Sequence, residues 1–204
     1  GLNAPEVTRT QVTEILGRTE ARFLKIKLGS PDGLDHDQDH FAAAAEAAAP
    51  FGAGLRVDAN GGWEPEEAIT MDAWLAARGV ESIEQPLAEG REAELPSILR
   101  RRTLPIYLDE SCRLAADVPR LAAIPGLETG RDGVNLKLMK CGGITEALRI
   151  AAVARACGLR AMIGCMSDSS VGIAAGASIG SLFDQVDLDS HLNLAPDPAD
   201  GAPI

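Results

Sequence analysis

Short β-like runs alternate with helical runs along this chain, and the alternation limits its fold more than any other feature. After a helix expected over residues 5–16, strands are expected at 23–28, 55–59, 81–84, 105–108, 133–138, 160–164 and 185–188. Between them the apolar period predicts helices at about 37–49, 65–78, 92–101, 115–122, 143–157 and 170–182. Strands joined through helices pair in parallel, which places the chain in the α/β class. Seven strands in units of about 25 to 30 residues suit a TIM-like (β/α) barrel. A doubly wound sheet fits less well, because its Gly-x-Gly-x-x-Gly phosphate turn is missing.

A closed barrel of this class has eight strands. Only a helix precedes the strand of Lys25, so the first strand is expected to lie outside the chain. No linker divides the sequence, and residues 1–204 read as one barrel domain, in part.

Charge removes some partners. Thirty acids against 19 bases give a formal net charge of -11, which repels phosphate backbones and anionic membrane surfaces, so nucleic acid is not an expected partner. Cys112, Cys141, Cys157 and Cys165 form no Cys-x-x-Cys pair, which signals neither a zinc site nor a disulfide framework; reduced, cytoplasmic thiols are the expectation. No apolar run reaches membrane-spanning length.

Catalytic groups of such barrels sit at the C-terminal ends of the strands. Asp58 closes "LRVDAN", Glu84 closes "ESIEQP" and Asp109 closes "PIYLDES", at separations of 26 and 25 residues, one βα unit each. A single acid in such a place is best read as a cap on the following loop. Three at one repeat would converge on one point and repel strongly unless a cation neutralised them. All-oxygen ligation with room for water and substrate favours Mg2+ over zinc. Asn60 follows Asp58 by two and would orient a ligand or a water from behind.

Two lysine strands complete the pattern. In "RFLKIKLGSPDG" alternation turns Lys25 and Lys27 to one face and Ile26 to the other. In "GVNLKLMKCGG" it pairs Asn135 with Lys137, while Lys140 is expected in a solvated loop beyond the strand. A lysine inside a barrel is costly unless it is paired or gives up its proton. Lys27 on one side, Lys137 on the other and a metal between them suit proton abstraction beside a carboxylate, through an enediolate. The charge of Lys25 would make Lys27 easier to deprotonate and would steady the developing oxyanion.

"KIK", "RVDANGGW", "IEQP", "LDES" and "NLKLMKCGGITEA", in that order and spacing, resemble the muconate-lactonizing-enzyme-like subgroup of the enolase superfamily, most of all its dipeptide epimerases of the L-Ala-D/L-Glu type. The resemblance runs from Phe23 onward. It implies one Mg2+ per site on Asp58, Glu84 and Asp109, with Lys27 and Lys137 as the two acid/base catalysts and Lys25 in support. Asp187 and Asp189 in "QVDLDSHL" match an Asp-x-Asp that takes the free ammonium of a dipeptide, although an Asp-Leu-Asp at a strand end can also be a plain solvated loop. "GCMSDSSVGIA" looks like the segment that helps hold the substrate, which brings in Cys165, Met166 and Asp168.

Departures from the family pattern are three. Many relatives carry Glu at the place of Asp168 and Gly at the place of Ser190. Relatives also carry an N-terminal α+β capping domain, which is not in this chain and whose absence would leave the site open to water. The chain is therefore expected to be part of a longer enzyme. The alternatives are another reaction of the subgroup (o-succinylbenzoate synthesis, N-succinylamino acid racemisation or cycloisomerisation) and a truncated barrel without activity. Barrels of this kind often form homo-oligomers, and nothing in the sequence locates an interface.

Overall fold

The computed structural model describes residues 3–194 and 196–199. Helix α1 (Pro5–Arg18) leads into β1 (Phe23–Lys27), α2 (Leu34–Ala48), β2 (Gly54–Asp58), α3 (Pro65–Ala76), β3 (Val80–Glu84) and α4 (Leu95–Leu99). Then follow β4 (Ile106–Leu108), α5 (Asp117–Ala122), β5 (Gly133–Lys137), α6 (Leu138–Cys141), α7 (Ile144–Ala156), β6 (Arg160–Gly164), α8 (Ser170–Ala177) and β7 (Gln185–Val186). The seven strands are ordered as they occur in the chain. The chain divides into two compact units, Gly1–Ile106 and Tyr107–Ile204, and the boundary falls in the sequence of β4.

In the first unit β1, β2 and β3 pair in parallel, and the register sets Lys27 beside Asp58 and Asp58 beside Glu84. The C-terminal ends of three strands are thus level. Ile26, Val57 and Ile83 bury the opposite face of those ends. Helix α1 starts with a proline in its first turn and buries Thr8, Val12 and Leu16, a single stripe at helical spacing. Helix α3 is closed by a capping box: the Glu64 carboxylate takes the N–H of Glu67, and the Glu67 carboxylate takes the N–H of Glu64.

In the second unit β4, β5, β6 and β7 pair in parallel, with Tyr107 beside Gly133, Gly133 beside Arg160 and Met162 beside Gln185. Every residue of β5 is buried, as expected of a strand covered on both faces. Helix α7 packs Ala147, Ile150, Ala151 and Ala154 inward.

Some boundaries differ from the sequence expectation. The helix expected at 170–182 stops at Ala177 and is followed by a 3₁₀ turn, Gly180–Leu182, since Gly172, Gly176 and Gly180 each weaken helical continuation. The strand expected to reach residue 138 ends at Lys137, and Leu138 opens the one-turn helix α6.

Candidate active site

In the first unit Lys27, Asp58 and Glu84 sit at the level ends of β1, β2 and β3, and Lys25 lies two residues before the end of β1. Lys25 reaches across β2, and its Nζ lies 3.0 Å from Glu84 Oε2. Glu84 is 3% exposed, so this ammonium compensates a carboxylate that has little water. Lys27 stands exposed at the end of the same strand. Asp58 is buried, and the backbone N–H of Asn60 donates to its Oδ1 at 2.8 Å while the Asn60 side-chain amide donates to Oδ2 at 3.0 Å. Asn60 adopts a left-handed φ of 46°, a conformation asparagine tolerates better than most residues, and so turns back onto the acid.

The loop after β1 is fixed from beneath. Asp37, fully buried in the first turn of α2, accepts the N–H of Gly29 and of Ser30, each at 2.9 Å, and the Trp63 indole N–H at 2.8 Å. Gly29 has a φ of 77°, and a Cβ there would fall 2.1 Å from the carbonyl oxygen of Ala59. Only glycine lets the loops that follow Lys27 and Asp58 come this close.

In the second unit Asp109, 1% exposed, follows β4 directly. Lys137 Nζ lies 2.7 Å from its Oδ2, and Lys140 holds its Oδ1. Burial pushes the Asp109 carboxyl up, but the ammoniums of Lys140 and Lys137 outweigh that effect and hold it below the usual carboxylate range. Asn135 is fully buried, and its side chain fills the space beside Gly164, where a Cβ would lie 2.8 Å from the amide.

The loops after β6 and β7 are tied together. Asp168 donates its N–H to Ser190 Oγ at 3.0 Å, and the Ser190 hydroxyl donates to the Asp168 carbonyl at 3.1 Å. The Asp168 carboxylate accepts the N–H of Met166 at 3.0 Å, and Met166 itself is 46% exposed. The Cys165 thiol donates to Asp189 Oδ1 at 3.7 Å, and burial pushes that thiol up. Asp187 is half-buried and Asp189 exposed, both just past the end of β7.

Residues 8–200 match the family model described as enolase C-terminal domain-like. The chain belongs to the enolase C-terminal domain-like family. Within this family it is 60% identical over 204 residues to a hydrophobic dipeptide epimerase of Roseobacter litoralis and 55% identical over 204 residues to one of a Flavobacteria bacterium. Each match covers 100% of this chain and 57% of the relative. A solved dipeptide epimerase from Enterococcus faecalis, complexed with Mg and the dipeptide L-Leu-L-Tyr, superposes with a TM-score of 0.86 at 32% identity, over 100% of this chain and 56% of that one. The chain thus spans little more than half the length of the relatives it matches. The α/β barrel architecture of the enolase superfamily is the one its strand order and register follow.

Two residues of this enolase-family chain escaped the sequence reading. Lys140 is not in a solvated loop. Its side chain is 13% exposed because α6 turns the backbone back by one helical turn, closed at Gly142 with a φ of 84°. Asp37 carried no signal, since an acid in a helical first turn ordinarily reads as a dipole partner for its own helix.

Proposed function

We propose that this protein belongs to a Mg2+-dependent epimerase of dipeptides whose C-terminal residue is hydrophobic, with the proton at its α-carbon as the one that moves. One observation carries the reading: in each unit a lysine ammonium sits on a buried strand-end carboxylate, Lys25 on Glu84 and Lys137 on Asp109. Costly pairs of this kind, repeated at the strand ends where barrel enzymes do chemistry, suit a charged reaction more than a structural need.

Asp58, Glu84 and Asp109 are each buried and each offers a carboxylate oxygen, a hard donor set that fits Mg2+. These three residues would hold one ion, which supplies charge to stabilise the enediolate formed when the α-proton leaves. Asn60 fixes the orientation of Asp58, while Lys25 pairs with Glu84 and holds its carboxylate in place. Lys27 and Lys137 take the proton from one face of the α-carbon and return it to the other. Asp187 and Asp189 accept the free ammonium of the dipeptide.

The side chain of the substrate's C-terminal residue is read as apolar, not as the glutamate of the L-Ala-D/L-Glu type. The hydrophobic dipeptide epimerases at 60% and 55% identity support this, as does Met166, whose exposed thioether follows β6 on the expected substrate loop. The test is α-carbon hydrogen exchange in D2O with Mg2+, comparing L-Leu-L-Tyr with L-Ala-L-Glu. The apolar dipeptide is expected to exchange at least about tenfold more efficiently. No exchange of either, or a preference for the acidic one, would overturn the proposal.

A further inference from the structure

We infer that Lys140 is a positioning residue that sets the Asp109 carboxylate for the cation, a role that rests on the assignment of Asp109 as a metal ligand. Besides Asp109 Oδ1, its Nζ donates to the Asp109 carbonyl at 2.6 Å, the Asn135 carbonyl at 3.1 Å and the Cys112 carbonyl at 3.2 Å. One nitrogen therefore gathers the acid, the turn that follows the acid and the neighbouring strand β5.

An ordinary surface lysine spends its three donors on water. This one is largely enclosed and shares them among the Asp109 carboxylate and three backbone carbonyls at a strand end, where their removal would release the Asp109–Cys112 turn, itself closed by a 3.0 Å bond from the Cys112 N–H to the Asp109 carbonyl. Lys137 Nζ lies 2.7 Å from the other carboxylate oxygen, Oδ2. Lys140 is anchored at four acceptors around the one turn. With Lys140 in place, Asp109 keeps a cationic partner and a fixed orientation.

A purely electrostatic role predicts the opposite sign for metal binding. A fixed ammonium beside a metal ligand repels Mg2+, so its removal would tighten the ion. Positioning predicts that removal weakens the ion, because partners that orient metal ligands are worth about 10- to 100-fold in affinity.

The experiment is a calorimetric Mg2+ titration of the protein without substrate, for the unaltered protein, Lys140→Met and Lys140→Arg. Lys140→Met is expected to bind Mg2+ at least about tenfold more weakly. Lys140→Arg keeps the charge and the fold, but its planar fork cannot gather acceptors arranged around one nitrogen, so it shows a smaller loss in the same direction. Circular dichroism confirms that each variant compared is folded; if Lys140→Met is not, the Arg variant decides. Affinity unchanged or tighter in a folded variant overturns the inference while leaving the catalytic proposal intact. An unaltered protein that takes up no Mg2+ strikes the catalytic proposal itself.

Discussion

Lys25 Nζ lies 3.0 Å from Glu84 Oε2, although the two residues belong to β1 and β3 and the whole of β2 runs between them. The sequence places Lys25 beside Lys27 as a charge on a shared face. The structure directs that charge to a different residue, and the pair bridges β1 to β3 across β2.

Because Glu84 is almost fully buried, removing its partner leaves a carboxylate short of compensation. Lys25→Met is expected to lower stability by about 3 kcal/mol. Adding Glu84→Gln to it should restore more than half of the loss, since the uncompensated charge then disappears. Urea denaturation of the two single variants and the double variant measures the coupling; additive effects would show that the pair does not interact.

Asp37 satisfies two backbone N–H groups and an indole N–H with one carboxylate. Asp37→Ala strands all three in the interior and is expected to cost about 3 kcal/mol. Asp37→Asn keeps one acceptor oxygen and costs less. Thermal unfolding of both variants, with hydrogen exchange at Gly29 and Ser30, checks the order; equal stability of Asp37→Ala and the unaltered protein would contradict it.

Asp187 and Asp189 bear on substrate class. Replacing both with Asn should remove turnover of dipeptides with a free ammonium, by at least about 100-fold in kcat/KM, while an N-acylated analogue is affected far less. Steady-state kinetics with the two substrates separates this outcome from a general loss of activity.

Burial pushes the Cys112 thiol up to about 12 from an ordinary value of 9.0. The folded state therefore holds this proton more tightly than the unfolded chain does. Its contribution to stability is full below pH 9 and is lost as pH rises through 12, with a slope of at most about 1.4 kcal/mol per pH unit. Cys112→Ser should flatten the fall in urea midpoint between pH 9 and 11; identical slopes would contradict the shift.

The regular part of the fold was legible because it is periodic. The ends of β2, β3 and β4 were readable from "RVD", "SIE" and "YLD", where an apolar run stops at a carboxylate. Lys140 was not, since a single helical turn after a strand leaves no period to detect, and "LMKCGG" reads equally well as a loop. The helix after Ser170 read too long because its small residues look apolar all round, while the glycines that shorten it act through backbone entropy. The Lys25–Glu84 pairing is a tertiary contact across 59 residues and has no local signature.

The two-base role of Lys27 and Lys137 is the central claim, and stereospecific exchange tests it most directly. Incubating Lys27→Ala and Lys137→Ala separately in D2O with Mg2+ and each epimer of the dipeptide, and following α-carbon deuterium by NMR, should show each variant exchanging only one epimer, and the two variants opposite ones. Exchange of both epimers by either variant would contradict the account.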